Sequence, residues 1–408
     1  MRRTGDFDAL RERPFRLLFT AHAVSLLGDG FARVALVFAV LGVSDSPTAV
    51  GLVLGAQSLP LVVFLLIGGV VGDRRARRSI MVAADLTRFV SQAVMAGLVI
   101  SGTAEVWQLA ALAGAHGAAT AFFNPAATAL LPQIAPAHHL HDANALRGLV
   151  QAAGGLLGPA LAGVVVALAG AGWALGVDAL TFLVSALVLL QLDATPVRSA
   201  VMSFGSDLRD GWREFTRRDW VWGVVTGSAL ANAFLGALWV VGPVIADRSL
   251  GGPAAWGLIV SALGAGAVIG GLAVLRLRPR RPLVAGVAAA ALPAAAMARV
   301  AARAPVPAIA VSMMAGGAGL TIFNTLWDTT LQRHVPPESL SRVSAYDWCG
   351  SLALDPVGRG LAGPIAGAVG LSTTLWGAAI AYTLVSVAQM ALPGVRGLLA
   401  TPVAIAPD

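Results

Sequence analysis

Long apolar runs separated by short polar connections dominate the sequence. The runs are rich in Ala, Leu and Val, lack the strict alternation of a half-buried strand, and reach the roughly 20 residues that a helix needs to cross a bilayer. We predict twelve membrane-spanning helices, six on either side of a longer polar stretch at 193–219. They lie at 15–41, 47–71, 79–101, 105–130, 145–169, 173–192, 220–246, 254–275, 283–303, 306–330, 345–370 and 372–393.

The polar stretch at 193–219 carries apolar residues at helical spacing, Leu208, Trp212 and Phe215, with arginines between them. This pattern is typical of an amphipathic helix on a membrane surface, and a solvated linker is the alternative. The predicted fold is therefore an all-α membrane protein of two pseudo-symmetric six-helix bundles. An N-terminal bundle spans 1–192, a cytoplasmic amphipathic linker spans 193–219, and a C-terminal bundle spans 220–408.

Composition and charge agree with a multi-pass membrane protein. The chain is 57% hydrophobic and 12% charged, against about 25% charged in ordinary soluble domains. The net charge of +7 comes from 28 arginines and no lysine, in short clusters between apolar runs, which favours membrane topology over nucleic-acid binding. With the N-terminus inside, 22 of the 28 arginines lie in inner segments. The positive-inside rule then predicts cytoplasmic termini in a cytoplasmic membrane.

The two halves of the chain are related by an internal repeat. A shift of 200 residues aligns 123–170 with 323–370 without a gap, so that Phe123-Asn124 meets Phe323-Asn324 and Gly158 meets Gly358. A looser match, shifted by 203, pairs Asp29 with Asn232. Parallel repeats of this kind place a substrate path along the axis between the halves, so the duplication indicates transport.

Two glycine-containing motifs carry a family resemblance. The stretch "GGVVGDRRARRSIM" at 68–81 resembles motif A of the major facilitator superfamily, with Ala76 in place of a glycine. Its matching residues are Gly69, Asp73, Arg74, Arg77 and Arg78. The stretch "GGLLGPALAG" at 154–163 resembles motif C of drug/proton antiporters. Its matching residues are Gly154, Gly158, Pro159 and Gly163. The run "FFNPAATALLPQI" at 122–134 further resembles the exporter branch that includes the enterobactin exporter.

The resemblance implies a secondary transporter rather than an enzyme. It implies export of a small amphipathic or hydrophobic molecule by alternating access with proton antiport, in a functional monomer without cofactor or metal. The expected partners are the small molecule, protons and the bilayer, and not nucleic acid. The motif A charges are implied to latch one conformation, although the positive-inside rule alone accounts for the arginines. A proton-coupled nutrient importer and a non-transporting membrane sensor are the alternative functions.

Charges within the predicted spans are the candidate proton carriers, because each is costly there unless paired or hydrated. Asp29 with Arg33, and Asp355 with Arg359, are spaced as i,i+4 pairs on a helix. Each aspartate either carries a coupling proton or forms a permanent ion pair with its arginine. Two further candidates are Asp178, for which a cross-helix hydrogen bond or a gate is the alternative role, and His116, for which a packing role is the alternative.

Other polar residues are predicted to be structural. Asp85 and Arg88 form an i,i+3 pair, and Asp328 and Asp347 anchor loops near the inner mouth. The loop histidines His138, His139 and His141 favour a solvated loop over a metal site, and Cys349 is the single cysteine. The candidate residues of a substrate cavity are Phe31, Phe123, Asn124, Asn232 and Trp239, with interhelical hydrogen bonding as the alternative role of Asn232.

Overall fold

The apolar runs form helices close to their predicted bounds. The computed structural model describes residues 12–74, 76–134, 140–192 and 212–399, so the predicted linker is described only from residue 212, and the loop histidines His138 and His139 lie outside the described residues. The first half contains α1 (Arg13–Val43), α2 (Pro47–Arg74), α3 (Arg77–Ser101), α4 (Val106–Ile134), α5 (Leu140–Ala169) and α6 (Ala171–Leu189).

The second half has more helices because two of its predicted spans are interrupted. A helical stretch at 212–216 precedes it. Its helices are α7 (Asp219–Ile245), which ends in a π-helical turn at Ala246–Leu250, α8 (Gly252–Val274), α9 (Pro282–Ala290), α10 (Pro293–Ala301), α11 (Val306–His334), α12 (Pro337–Leu352), α13 (Asp355–Val369), α14 (Leu371–Ala391) and α15 (Pro393–Gly397). No strand occurs among the described residues.

Ten helical stretches in the described part of the chain are long and apolar enough to cross a membrane. They correspond to ten of the twelve predicted spans, with α9 and α10 together forming one of them. The other two predicted spans are not among these ten stretches. One corresponds to α4, a helix of 29 residues, and the other to the interrupted pair α12–α13.

The predicted spans at 283–303 and 345–370 are each interrupted within the span. The helix ends after Ala290 and restarts at Pro293, and it ends after Leu352 and restarts at Asp355, which Pro356 follows. Proline lacks a backbone N–H and clashes with the preceding turn, so it fits best in the first turn of a helix, although membrane-spanning helices also tolerate it inside, as α5 does at Pro159. The prolines at these two positions therefore begin new helices.

At each break, a side chain from a neighbouring helix donates a hydrogen bond to a backbone carbonyl oxygen. The Tyr382 hydroxyl donates to the Ala290 carbonyl oxygen at 2.7 Å, and Asn232 Nδ2 donates to the Ser351 carbonyl oxygen at 2.9 Å. A buried carbonyl without a partner costs free energy, so these contacts stabilise the interrupted spans.

Helix packing repeats between the halves. In the first half α1 packs on α5 and α6, and α3 packs on α4 and α6; in the second half α7 packs on α12, α13 and α14, and α11 packs on α8 and α9. Two helix pairs make the most extensive contacts between the halves, α5 with α8 and α2 with α13. In the repeat, α5 corresponds to α13 and α8 corresponds to α2. The two pairs are therefore equivalent, as expected for halves related by a pseudo-twofold axis.

The buried core is continuous at one end of the molecule and divided at the other. A single cluster joins both halves around the ends of α1 and α7, the beginnings of α2 and α8, and the π-helical turn at Ala246–Leu250; we call this the joined end. At the opposite end, which we call the split end, Phe15, Ile80 and Leu189 belong to a core of the first half, and Val221 and Leu331 belong to a separate core of the second half.

The outer surface carries many exposed apolar side chains. Leu168, Leu272, Leu275 and Leu384 are exposed by 84%, 63%, 74% and 63%. A soluble monomer rarely shows apolar surface of this extent, whereas lipid tails solvate it, so these faces suit a bilayer.

Candidate functional site

One face of α5 packs closely on α1 within the first half. A Cβ atom added to Gly158 would lie 2.7 Å from the Cα atom of Gly30, and one added to Gly154 would lie 3.1 Å from the carbonyl oxygen of Leu26. Separations below about 3 Å have no room for a methyl group. Gly158 therefore permits this close helix contact, and Gly154 lies in the same contact with slightly more room.

The neighbouring face of α5 meets α8 across the boundary between the halves. A Cβ atom on Gly163 would lie 2.7 Å from the carbonyl oxygen of Pro253, and one on Gly257 would lie 2.5 Å from the carbonyl oxygen of Pro159. The motif C residues thus contribute to two interfaces, one inside a half and one between the halves.

The second repeat makes the same two kinds of contact. Gly358 packs on Ala233 of α7 within its own half, and Gly363 packs on Pro47 of α2 across the boundary. A Cβ atom on Gly51 of α2 would lie 2.7 Å from the carbonyl oxygen of Arg359. Gly158 and Gly358 occupy equivalent contacts, so the internal repeat predicted from the sequence is confirmed.

The Asp355–Arg359 ion pair is formed at this boundary. Arg359 Nε lies 2.8 Å from Asp355 Oδ2 and donates to Oδ1 at 3.0 Å. Asp355 is the first residue of α13, where the helix dipole favours a negative charge. The pair stands where α13 packs on both α2 and α7.

The other predicted i,i+4 pair is arranged differently. Arg33 Nε donates to the backbone carbonyl oxygen of Asp29 at 3.4 Å, and the Arg33 side chain is exposed. Within the described residues the structure contains no ion pair between the Asp29 carboxylate and Arg33. Of the two alternatives for Asp29, the permanent pair is absent from this conformation.

A buried polar network lies inside the first half, between α3, α4 and α6. Arg88 forms an ion pair with Asp85, and the Ser185 hydroxyl donates to the second Asp85 oxygen at 2.6 Å. The Arg88 guanidinium lies 4.1 Å from the ring centre of Phe123 and 4.5 Å from that of Phe182. The predicted structural pair is confirmed, and it is fully buried.

Asp178 lies beside this network with one carboxylate oxygen unused. Gln92 Nε2 donates to Asp178 Oδ2 at 2.7 Å, whereas Asp178 Oδ1 and Gln92 Oε1 are buried and have no hydrogen-bond partner among the described residues. A Cβ atom on Gly28 would lie 2.5 Å from Asp178 Oδ1, so this oxygen faces α1 next to Asp29. A side chain at position 28 would therefore collide with this oxygen, whereas a proton bound to the oxygen would fit.

His116 is buried and makes a T-shaped contact with Phe182, with 5.5 Å between ring centres. Its Nδ1 atom also has no partner within the described part of the chain.

The motif A residues occupy the α2–α3 connection at the split end. Gly69, Asp73 and Arg74 belong to the last turns of α2, and their side chains lie outside the described residues; Arg77 begins α3. Arg78 Nε donates to the Leu189 carbonyl oxygen at 3.0 Å, and Nη2 donates to the next carbonyl. Arg78 thus binds the C-terminal end of α6 in its own half, where a cation is favourable.

A cavity of about 440 Å³ lies in the second half, between α7, α11, α12 and α14. Asn232, a predicted cavity residue, lines it. Phe323 and Asn324 line it as well, and they are the repeat partners of two other predictions, Phe123 and Asn124.

The remaining predicted cavity residues lie elsewhere. Phe31 and Trp239 pack against the core of the joined end, with the Trp239 ring 6.4 Å from that of Trp256. Phe123 is buried against Arg88, and Asn124 is exposed on α4. None of these four lines the cavity of the second half.

Sequence reasoning missed the two carboxylates of the cavity. Asp328 and Asp347, predicted as loop anchors, line it together with Trp327. Trp327 Nε1 donates to Asp347 Oδ2 at 2.9 Å, and the Ser351 hydroxyl donates to Oδ1 at 3.3 Å. One sequence signal could have found them. Phe323-Asn324 aligns with Phe123-Asn124, which were predicted to line a cavity, and Asp328 lies on α11 one turn after Asn324. Groups of three or more metal-ligating side chains are absent from the described residues.

Comparison with known proteins agrees with this architecture. Residues 4–398 match the family model described as transmembrane secretion effector. The chain is 28% identical to the multidrug efflux pump Tap of Mycolicibacterium fortuitum, over 94% of this chain and 97% of Tap. It is 27% identical to the enterobactin exporter EntS of Shigella boydii, over 65% of this chain and 64% of EntS.

A solved structure shares the fold. A bacterial homologue of the human lysosomal transporter Spinster, crystallised in an inward-facing and unoccupied conformation, superposes with a TM-score of 0.72 at 16% identity, covering 95% of this chain and 98% of the other. The predicted resemblance is confirmed by the matched family and by these relatives. The chain belongs to the transmembrane secretion effector family of major facilitator transporters.

Proposed function

We propose that the chain is a twelve-span exporter of the cytoplasmic membrane, with both termini cytoplasmic, that moves a small amphipathic or hydrophobic molecule outward by alternating access in exchange for protons. The observation that carries this proposal is the core, continuous across the halves at the joined end and divided at the split end. Two bodies hinged in this way expose a central path to one side at a time. The arginine distribution assigns the split end to the cytoplasm.

Export is supported by the relatives and by the helix contacts. Both Tap and EntS are named for outward movement of their substrates. The small-residue contacts of α5 with α8 and of α2 with α13 are the most extensive packing between the halves that a rocking motion has to rearrange. Glycine backbones slide against each other without interlocked side chains, which suits such a motion.

The proton is assigned to Asp178. Its free Oδ1 is buried, and a buried carboxylate oxygen without a donor is costly unless the carboxyl is protonated. Asp355 is instead neutralised by Arg359, and Asp85 by Arg88. The proton carrier then belongs to the first half and the substrate cavity to the second, so the two are coupled through the motion of the halves.

Transport in everted membrane vesicles tests the proposal. With an inside-acid pH gradient, we expect vesicles containing the chain to accumulate ethidium, and nigericin, which collapses the gradient, to abolish accumulation. Asp178→Asn mimics the protonated carboxyl permanently, so gradient-driven uptake should fall at least tenfold. Asp247→Asn, the same change at an exposed residue of the joined end, should keep full uptake.

Two results would contradict the proposal. Accumulation that persists after nigericin would exclude proton antiport. Accumulation confined to right-side-out vesicles would indicate import, and a panel with enterobactin and neutral antibiotics beside ethidium extends the same test to other substrates.

A further inference from the structure

The charged residues that line the cavity of the second half are both acidic. They are Asp328 of α11 and Asp347 of α12, and no arginine or histidine is among the lining residues of the described chain. This contrasts with Asp85 and Asp355, each of which has an arginine within ion-pair distance. The negative charge of the cavity is therefore not compensated by the protein itself.

The two carboxylates are held differently. Asp347 is buried, and its oxygens accept hydrogen bonds from Trp327 and Ser351, so its position is fixed. Asp328 is exposed to the cavity, and no hydrogen bond or ion pair of its carboxylate is present in the described part of the structure. A fixed charge and an adjustable one, without a basic partner, make a site of negative potential.

Aromatic rings line the same cavity. Phe323 and Trp327 of α11 both line it, and their ring planes are nearly parallel, with 6.5 Å between ring centres and 11° between the planes. Trp348 and Tyr382 line the cavity from α12 and α14. The negative faces of aromatic rings attract cations, most strongly where water is excluded, and the rings also bury the apolar part of a ligand.

We infer that this cavity binds organic cations, namely aromatic or amphipathic molecules with a positive charge, and that Asp328 and Asp347 select for that charge. A volume of about 440 Å³ lies within the range of drug-sized ligand sites, about 300–1,000 Å³. An anion of the same shape meets two carboxylates and no basic group. The inference rests on the proposed export function for its physiological meaning, and it names the substrate class of that function.

Two ions of nearly equal size and opposite charge test the inference. Tetraphenylphosphonium and tetraphenylborate present the same four phenyl rings, so a difference in binding reports the charge. We expect tetraphenylphosphonium to quench the fluorescence of the purified protein saturably, after subtraction of empty micelles, because Trp327 and Trp348 line the cavity. Tetraphenylborate should produce no saturable quenching.

Variants assign the selectivity to the carboxylates. Asp328→Asn should raise the Kd of tetraphenylphosphonium at least tenfold, Asp328→Glu should restore most of the affinity, and Asp247→Asn should leave it unchanged. Equal binding of both ions would overturn the inference. Wild-type affinity for tetraphenylphosphonium in the double variant Asp328→Asn/Asp347→Asn would overturn it as well.

The test separates this inference from the proposed function because binding needs no transport. Gradient-driven export of another probe without tetraphenylphosphonium binding would overturn the cation site and leave the exporter. Selective binding without gradient-driven movement of any probe would overturn the exporter and leave the cation site.

Discussion

At the scale of single residues, the Asp85–Arg88 pair shows how burial changes the meaning of a sequence pattern. The i,i+3 spacing predicts an ion pair, but a surface pair of this kind contributes about 0–1 kcal/mol. In the structure Asp85 is 0% and Arg88 2% exposed, and the guanidinium lies between two phenyl rings from α4 and α6. The pair is therefore a buried charge that depends on its partner.

Removal of the Asp85 charge is expected to destabilise the first half. Asp85→Asn keeps the shape and leaves Arg88 buried without a counter-charge, which costs about 3–5 kcal/mol. Thermal unfolding of the purified variant in detergent measures the loss. Glu214→Gln removes a partly exposed partner of Arg218 and should lower the unfolding temperature far less. Equal losses of unfolding temperature in the two variants would show that the buried pair contributes no more to stability than the partly exposed one.

At the scale of helices, the effect of a glycine or a proline depends on its position in the helix and on the neighbouring helix that it contacts. Pro159 lies inside α5, which continues to Ala169, whereas Pro293 and Pro356 stand in the first turn of new helices. The difference follows from the neighbours: Tyr382 and Asn232 bind carbonyls at the two breaks. Sequence alone indicates weak points in these helices but not which of them breaks.

Two alanine substitutions on the same helix separate helix propensity from packing. Gly158→Ala would place its methyl group against Gly30 of α1, whereas nothing lies within 4 Å of a Cβ atom at Gly148. We expect Gly158→Ala to destabilise the protein by about 1–3 kcal/mol through overpacking. Gly148→Ala should be neutral or stabilising, since alanine favours a helix over glycine by about 1 kcal/mol. Thermal unfolding measures both, and equal effects would exclude a packing role for Gly158.

At the scale of the whole molecule, the contacts between the halves are concentrated in two equivalent pairs of helices. Gly163 packs on Pro253, and Gly363 packs on Pro47, on opposite sides of the pseudo-twofold axis. Arg248 Nη2 also donates to the Asp45 carbonyl oxygen at 2.8 Å across the joined end. These contacts hold the joined end together, while contacts such as that of Gly158 lie within one half.

Methyl groups at the boundary are expected to shift the conformational equilibrium without unfolding either half. Gly163→Ala and Gly363→Ala should each favour separation of the joined end by about 1–3 kcal/mol, or 5–150-fold in population. Spin labels at the exposed residues Thr103 and Ala302, in a Cys349→Ser background, report the separation as a longer distance. Gly360→Ala, with nothing within 4 Å of its Cβ, is the control on α13. Unchanged distances in both boundary variants would refute this assignment.

The sequence by itself determined the all-helical membrane class, the family, the internal repeat and the spacing of charged pairs. The class and the charged pairs depend on composition, on periodicity or on residues within one turn of each other, and the family and the repeat depend on motifs compared along the chain. Tertiary structure decided which distant residues meet. Gln92 binds Asp178 across 86 positions, Arg33 turns to a carbonyl rather than to the Asp29 carboxylate, and Asp328 and Asp347 converge on one cavity. No local pattern encodes such meetings, because they follow from how the apolar faces of separate helices pack.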